Sequence, residues 1–257
     1  MAFSLYPLPR RDDGAPAHLE RLRVPLRDGA ETTVHVASYP KASTELRVMR
    51  LPGQAQLEAW CARRGVQEAL VGGFYTRPSG APLGELRTHG VARHSVPFDA
   101  PWSAVRACVH VVGGEVNIAR RHDLPVTPRG DLLQAGPLLV REGEVVRDDD
   151  EGFSAGARQF DSDITDGRYP RAALAMTRDE LLAVACDGRA DNEAGLTLSE
   201  LGETLVALGA RSALNLDGGG SSSLVCAGEL RNVPRESHGM VLPGGRAIST
   251  ALVFAAR

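Results

Sequence analysis

The stretch Ala213-Leu214-Asn215-Leu216-Asp217-Gly218-Gly219-Gly220-Ser221-Ser222-Ser223 ends a short apolar run with one carboxylate, three glycines and three hydroxyls. The run at 212–216 predicts a buried strand, so Asp217 would stand at the strand end. Glycine permits positive φ and a close approach of the backbone to a bound group, and successive N–H groups in such a turn form an anion-binding nest. These features predict a ligand-binding turn rather than a packing element.

Asp217 is the best catalytic candidate in this turn. An Asp before Gly also commonly accepts hydrogen bonds from the N–H groups that follow it, but the three glycines and three serines favour a functional role. Asn215 lies two residues earlier, so on a strand both side chains point to the same face. There the amide would orient the carboxylate or bond to a sugar.

The glycines and serines after Asp217 are predicted to bind the substrate. The serine hydroxyls would donate to phosphate oxygens, or else cap a helix or turn after the glycines. A serine nucleophile is disfavoured because the chain has no Gly-x-Ser-x-Gly elbow, and a P-loop is excluded because no Gly-Lys-[Ser/Thr] follows the glycines. The predicted binding residues of this turn are Gly218, Gly219, Gly220, Ser221 and Ser222.

The order of helix, glycine stop, strand and glycine turn occurs twice in the chain. Residues 54–64 predict a helix, and a strand at 66–71 leads into Gly72-Gly73. A Thr-x-x-Glu capping box at Thr197 predicts the start of a second helix, which precedes the strand at 212–216. If both strands are neighbours in one sheet, both glycine turns open at the same sheet end, where ligands bind in such layouts.

The rest of the chain is predicted to form a loose N-terminal arm followed by many strands. Residues 1–19 carry Pro, Arg and Asp without periodicity, which predicts a loose N-terminal arm. We predict a single α/β to α+β domain over 20–257, with mixed β-sheets, two main helices and an active site at strand ends beside glycine-rich turns. Further strands are predicted at 20–26, 31–37, 45–51, 103–112, 115–119, 131–140, 144–147, 172–177 and 181–186.

Composition excludes several classes of partner. The formal net charge is −3 at pH 7, so no global basic field attracts nucleic acid. The chain has no uninterrupted apolar run long enough to span a bilayer, and no secretory signal is evident at its start, so a cytoplasmic location is expected unless a signal has been removed. No feature selects an oligomeric state. Apolar contexts and the absence of a CxxC pair predict buried, reduced thiols at Cys61, Cys108, Cys186 and Cys226.

Six motifs, in the same order along the chain, resemble those of the phosphodiester glycosidase family. The ordered match runs from about residue 66 to the C-terminus. Besides Asn215 to Ser223, the motifs are Gly72-Gly73-Phe74-Tyr75, Gln134-Ala135-Gly136-Pro137-Leu138-Leu139-Val140, Pro170-Arg171-Ala172-Ala173-Leu174, Asp187-Gly188-Arg189, and Asn232-Val233-Pro234 followed by Arg246 and the final strand.

The resemblance implies a hydrolase that cleaves a sugar from a phosphodiester at its anomeric carbon, N-acetylglucosamine being the family's sugar. The substrate would be a small-molecule or glycan phosphodiester, and the sugar and its anomer stay open. A carboxylate would support an oxocarbenium-like state, and the planar fork of Arg would hold the phosphate. No cofactor is predicted and no residues stand at metal-ligand spacing, but the sequence leaves open whether a divalent ion helps to hold the phosphate.

The resemblance adds further residues to the predicted site. It implies catalytic roles for Asp187 and Arg171 beside Asp217. Asp187-Gly188 is also a common hairpin signal, while Arg171 would otherwise be a solvent-facing strand residue. Arg189 could also contact phosphate, a surface role being the alternative. Substrate-binding roles are also implied for Gly72, Gly73 and Phe74.

The chain departs from the family pattern at Val71, where the family usually has Asn. An Asn amide at this strand end would lie near the sugar, and Val offers only an apolar surface. Two alternatives to the hydrolase therefore stay open. One is a non-catalytic carbohydrate- or phosphoglycan-binding protein with the same fold, which Val71 favours, and the other is a general phosphodiesterase that ignores the sugar.

Overall fold

The computed structural model describes residues 6–7, 18–146 and 167–257. Most of the arm predicted at 1–19 lies outside the described residues. The predicted α+β class is confirmed, because β-strands dominate and few helices accompany them.

Eighteen strands and three α-helices are formed by the described residues. The helices are α1 (Leu57–Arg64), α2 (Trp102–Val105) and α3 (Leu198–Ala207). The strands are β1 (Tyr6–Pro7), β2 (His18–Pro25), β3 (Glu31–Pro40), β4 (Thr44–Ala55), β5 (Ala69–Val71), β6 (Leu86–Thr88), β7 (Val91–Ala92), β8 (Ala107–Val112), β9 (Glu115–Arg120), β10 (Asp131–Gln134), β11 (Leu138–Arg141), β12 (Glu144–Val145), β13 (Arg171–Met176), β14 (Glu180–Cys186), β15 (Ser212–Asn215), β16 (Leu224–Cys226), β17 (Glu229–Leu230) and β18 (Ile248–Ala256).

The strands form three sheets. An eight-stranded sheet has the order β1-β2-β3-β14-β13-β15-β11-β12, and two five-stranded sheets have the orders β7-β6-β10-β8-β9 and β17-β16-β5-β18-β4. Every pairing between the named strands is antiparallel. The sheet orders bring distant parts of the chain together, which places β15 between β13 and β11.

The centre of the eight-stranded sheet is buried on both faces, which explains its nearly continuous apolar sequence. On β14, Leu181, Ala183 and Ala185 belong to the main core, which is shared with the β4, β5 and β18 sheet and with α1. The alternate residues Leu182 and Val184 pack in a second core, which α3 covers. Because side chains alternate along a strand, one strand contributes to both cores.

A local sequence signal fixes one end of each main helix. α1 ends at Gly65, which has the left-handed φ of 66° and donates its N–H to the Cys61 carbonyl. α3 begins with the predicted capping box, in which Thr197 Oγ1 accepts the Glu200 N–H at 3.1 Å and Glu200 Oε2 accepts the Thr197 N–H at 2.9 Å. The four cysteines are free and buried, as predicted.

Several strand predictions were wrong in their extent, and two of these predicted strands include a boundary with another element. The predicted strand at 131–140 is two strands, β10 and β11, in different sheets. The predicted strand at 103–112 begins only at Ala107, after the short helix α2. In the first case the apolar run reads as continuous because both segments are buried, while Gly136-Pro137 lets the chain pass from one sheet to the other.

The two strands that lead into the glycine turns do not lie in one sheet. β5 belongs to a five-stranded sheet and β15 to the eight-stranded sheet, so the condition that they are neighbours in one sheet is not met. Their ends nevertheless meet, because the Asp217 N–H donates to the Gly72 carbonyl at 3.0 Å. The two turns therefore lie side by side through a contact between sheets.

Val71 does not offer its side chain to a ligand, in contrast to the sequence-based expectation. It is 0% exposed and packs in the main core, and its N–H donates to the Ser223 carbonyl at 2.9 Å. Val71, at which the chain departs from the family pattern, thus lies in the core beneath the turns and not on a surface.

We expect Val71→Asn to lower the free energy of unfolding by about 2–4 kcal/mol, because it buries an amide among apolar side chains. Denaturant unfolding measures this change. Val126→Asn is the matched control, since Val126 is 92% exposed, and it should cost less than about 0.5 kcal/mol. Equal stability of Val71→Asn and the wild type would contradict the buried position of this side chain.

Candidate active site

The turn after β15 approaches neighbouring backbone so closely that glycine is required. Gly219 has a φ of 59°, and its N–H donates to the Pro170 carbonyl at 2.8 Å. A Cβ at Gly218 would lie 2.8 Å from the same carbonyl oxygen. At Gly220, a Cβ would lie 2.9 Å from Glu236 Oε1. A side chain at Gly218 would push the turn away from the backbone that precedes β13, whereas one at Gly220 would displace the side chains of Glu236 and Leu242.

Asp217 is held at the start of this turn with its carboxylate half-buried. Its Oδ1 accepts the Gly218 N–H at 2.9 Å. Burial raises the pKa of Asp217 to about 6, against the opposing effects of the Ser221 hydroxyl, the Gly218 N–H and the positive charges of Arg246 and Arg77. Asp217 is thus an anion at neutral pH in a site that favours its neutral form.

Two arginines supply positive charge near Asp217. Arg246 is fixed in place, because its N–H donates to the Gly220 carbonyl at 2.7 Å and its Nε donates to Glu236 Oε1 at 2.7 Å. Burial lowers the pKa of Arg246, but Glu236, Tyr75 and Asp217 outweigh this effect and hold the pKa above its usual value. Arg77 is exposed, and its side chain makes no hydrogen bond or ion pair with the residues that the structure describes.

Three buried polar atoms in the stretch from Asn215 to Ser223 lack a partner among the residues that the structure describes. Asn215 Oδ1, Ser221 Oγ and Ser223 Oγ make no hydrogen bond within the described part of the chain. The Ser221 hydroxyl is close enough to lower the pKa of Asp217, although it lies outside hydrogen-bond geometry. Each such group costs about 1–3 kcal/mol, and native proteins contain few of them. Their concentration on one turn is typical of a functional site.

Asn215 and Ser222 also make contacts that hold the turn. Asn215 Nδ2 donates to the Leu216 carbonyl at 2.8 Å, which orients the amide along the chain. Ser222 Oγ donates to the Arg171 carbonyl at 3.0 Å and so ties the turn to the start of β13.

The Gly72-Gly73-Phe74 turn packs against β18. The Gly72 and Gly73 N–H groups donate to Thr250, at 2.9 Å to its carbonyl and 3.0 Å to its Oγ1. A Cβ at Gly72 would lie 2.5 Å from Thr250 Oγ1. Phe74 is buried in a small apolar cluster with Phe98. The turn therefore contacts the start of the Asp217 turn through the Gly72 carbonyl, which accepts the Asp217 N–H.

Asp187 is buried and already engaged at both carboxylate oxygens. Its Oδ2 lies 3.0 Å from His35 Nε2, and its Oδ1 accepts the Val233 N–H at 2.7 Å. These contacts connect β3, the end of β14 and the segment after β17. The structure places Asp187 among framework contacts, and its predicted catalytic role stays a prediction.

Arg171 and Arg189 both lie close to the Tyr169 ring. Arg171 is buried rather than solvent-facing, and its guanidinium donates to the Leu196 and Gly167 carbonyls, each at 3.0 Å. Arg189 has a positive φ of 59° and donates to the Arg235 carbonyl at 3.1 Å. The guanidinium carbons lie 5.4 Å and 5.2 Å, respectively, from the Tyr169 ring centre. Phosphate contact by either residue stays a prediction.

Sequence reasoning assigned no site role to Arg77, Glu236 or Arg246. Arg246 follows two glycines with positive φ, Gly244 and Gly245, so this Gly-Gly-Arg stretch was a usable signal. Arg77 and Glu236 stand in polar loops without a distinctive pattern, and only the packing of the loops brings Arg77 near Asp217 and Glu236 against Arg246.

Known proteins resemble this chain both in sequence and in fold. The model of the phosphodiester glycosidase family matches residues 64–255. N-acetylglucosamine-1-phosphodiester alpha-N-acetylglucosaminidase of Mus musculus is 27% identical over 188 residues, which cover 71% of this chain and 36% of the mouse protein. The chain thus spans about a third of the length of that relative.

Two solved structures share the fold over 100% of this chain. The zebrafish N-acetylglucosamine-1-phosphodiester alpha-N-acetylglucosaminidase catalytic domain has a TM-score of 0.71 at 19% identity, with 89% of that chain covered. A hypothetical protein from Synechocystis has a TM-score of 0.66 at 18% identity, with 69% covered. Because the family model spans well over half of its residues, this chain belongs to the phosphodiester glycosidase family.

We expect Glu236→Gln to lower the pKa of Asp217, because Arg246 would lose its compensating charge and stabilise the carboxylate more strongly. The free energy of unfolding should fall by about 1–2 kcal/mol, since the ion pair is partly buried. Carboxyl NMR titration and denaturant unfolding measure the two effects.

Glu229→Gln is the matched control, because Glu229 pairs with Arg231 through a side chain that is 66% exposed. It should leave the Asp217 titration unchanged. If Glu236→Gln also leaves that titration unchanged, Glu236 does not act on Asp217 through Arg246.

Proposed function

We propose that this chain is a hydrolase that cleaves a glycosyl-1-phosphodiester to a free sugar and a phosphate monoester. In this reaction the bond from the anomeric carbon to the phosphate oxygen breaks, the phosphate leaves with the electron pair, and water supplies the new hydroxyl. The observation that carries the proposal is the half-buried Asp217 carboxylate on a glycine turn, with the positive charges of Arg77 and Arg246 near it.

The carboxylate suits the sugar half of this reaction. A sugar that loses its leaving group passes through an oxocarbenium-like state, which a nearby anion stabilises. Since the pKa of Asp217 is about 6, the group is mostly ionised at neutral pH. The partly buried position strengthens its interaction with a developing positive charge, because less water screens that interaction.

The two arginines suit the phosphate half. Arg246 is fixed by Glu236 and the Gly220 carbonyl, so it supplies a positioned charge. Arg77 has all of its guanidinium donors available within the described structure, so we assign it the paired, charge-assisted contacts to the phosphodiester oxygens. A phosphate monoester is a fair leaving group, which reduces the need for a strong general acid.

Family membership supports this reaction class, and the name of the mouse relative suggests the sugar. We therefore propose an N-acetylglucosamine 1-phosphodiester as the first substrate to test. A non-catalytic glycan-binding protein would bind such a compound without turnover. A general phosphodiesterase would also cleave bis(p-nitrophenyl) phosphate, which has no anomeric carbon.

We expect Asp217→Asn to abolish most turnover while making the protein more stable. Losing one such electrostatic group should reduce kcat by about 100-fold or more. Burial raises the pKa of Asp217 above the ordinary value of 3.8, so the folded state binds more protons between about pH 4 and 6, and the group's contribution to stability falls as pH rises through that window. At pH 7 the neutral amide should therefore add roughly 1–3 kcal/mol to the free energy of unfolding.

Initial rates on the N-acetylglucosamine phosphodiester and denaturant unfolding at pH 7 test both parts. Asp179→Asn is the control, because Asp179 is exposed in the turn between β13 and β14. Wild-type turnover by a folded Asp217→Asn protein would remove Asp217 from the mechanism. Absence of turnover in the wild type, with binding retained, would favour the glycan-binding alternative.

We also expect kcat/KM to fall tenfold per pH unit below about pH 6, where Asp217 becomes protonated. A pH–rate profile with that substrate measures this limb. In Glu236→Gln the midpoint should move to lower pH, in step with the NMR titration of the carboxyl group. If the Asp217 titration moves in Glu236→Gln and the midpoint of the pH–rate limb does not, that limb belongs to another residue.

A further inference from the structure

The side-chain amide of Asn232 bridges two backbone groups of the segment that follows Asp217. Asn232 is buried, its Oδ1 accepts the Leu224 N–H at 2.9 Å, and its Nδ2 donates to the Ser222 carbonyl at 2.8 Å. These two groups flank Ser223, so the amide bonds to them as a residue of a neighbouring strand would. The Asn232 side chain therefore holds the backbone at the point where the glycine turn passes into β16.

The backbone on both sides of Asn232 is itself fixed. The Val233 N–H donates to Asp187 Oδ1 at 2.7 Å, just after the end of β14. The Arg231 N–H donates to the Leu224 carbonyl at 2.8 Å, at the start of β16. Because the segment is bonded on each side of it, the Asn232 amide has a fixed place relative to the glycine turn.

The residue that precedes Ser222 brings a hydroxyl to Asp217. The Ser221 N–H donates to the Gly218 carbonyl at 3.1 Å, so the turn folds back on itself just after Asp217. Ser221 Oγ is buried and has no hydrogen-bond partner among the described residues, but it is close enough to lower the pKa of Asp217. The position of the backbone at Ser222 therefore decides how the Ser221 hydroxyl meets the carboxylate.

The two backbone groups that Asn232 bridges are buried, since Ser222 and Leu224 are both 0% exposed. Without the amide, the Ser222 carbonyl and the Leu224 N–H would each lose their hydrogen bond away from bulk water. A buried backbone group without a partner is costly enough that the segment would shift to regain one. The shift would begin next to Ser221, so the hydroxyl would move relative to Asp217.

We propose that Asn232 is a positioning residue of the active site, which holds the Ser221 hydroxyl against the Asp217 carboxylate by bridging the Ser222 carbonyl and the Leu224 N–H. It acts through the backbone of the turn and does not touch the substrate. The effect of Asn232 on turnover rests on the proposed function, whereas its effect on the Asp217 carboxylate does not.

Carboxyl NMR titration of Asp217 tests this positioning without any turnover. Arg246 and Arg77 also face the carboxylate, and Asn232→Ala changes neither charge. The titration midpoint should rise by about half a pH unit, because the carboxylate loses the favourable contact with the Ser221 hydroxyl. If the Ala variant does not fold, Asn232→Ser takes its place, since its shorter hydroxyl reaches only one of the two backbone groups, and the midpoint should move in the same direction.

Ser221→Ala shows whether the effect passes through this hydroxyl. Alone, it should raise the Asp217 midpoint by a similar amount, and Asn232→Ala should add nothing further in that background. The acid limb of the pH–rate profile on the N-acetylglucosamine phosphodiester should move to higher pH in step with the titration.

Two controls separate positioning from a general loss of stability. Leu132→Ala truncates a fully buried side chain in a separate apolar cluster with Cys108 and Leu124, so it should lower Tm. Asn117→Ala removes an exposed amide on β9. Neither substitution should move the Asp217 midpoint.

An unchanged midpoint in a folded Asn232→Ala protein would overturn the proposal. Equal rises in Asn232→Ala and Leu132→Ala, or additive rises when Asn232→Ala is combined with Ser221→Ala, would overturn it too. Absence of turnover in the wild type, with the Asn232→Ala rise present and absent from both controls, would overturn hydrolysis and leave the positioning of Ser221 standing.

Discussion

The hydrogen bond from the Asp217 N–H to the Gly72 carbonyl joins two sheets at the point where the candidate catalytic carboxylate begins its turn. β15 reaches this junction from the eight-stranded sheet and β5 from a five-stranded sheet. The Gly219 N–H extends the junction to the Pro170 carbonyl, just before β13. Because the backbones meet without side chains between them, Asp217 is fixed by framework contacts while its carboxylate stays partly exposed.

The groups that this junction buries lower the stability of the folded protein. The half-buried carboxylate lowers stability, as do the three polar atoms that have no partner within the described part of the chain, and the large apolar cores on both faces of the eight-stranded sheet offset that loss. Natural sites commonly trade stability for function in this way. Arg246, held by Glu236, limits this loss of stability by keeping positive charge near Asp217.

Asp187 and Arg171 show why a motif does not by itself assign a role. In sequence, both are polar residues at the ends of apolar strands, as Asp217 is. In the structure, the Asp187 carboxylate contacts His35 and Val233, and the Arg171 guanidinium contacts two carbonyls. The backbone conformation of a turn at a strand end depends on the residues of the turn itself. The partner of a side chain, in contrast, depends on which distant segment packs against it.

The sequence by itself determined the α+β class, the two main helices with their capping box and glycine stop, the buried thiols and the special turn at Asp217. These features depend on contacts within a few residues and on apolar periodicity, which the sequence displays directly. Only the tertiary structure decided that 131–140 divides between two sheets, that β5 and β15 lie in different sheets, and that Arg77, Glu236 and Arg246 gather near Asp217. The physical reason is that an apolar strand fits several partners equally well, so its pairing is chosen by the burial of the whole set of strands rather than by its own residues.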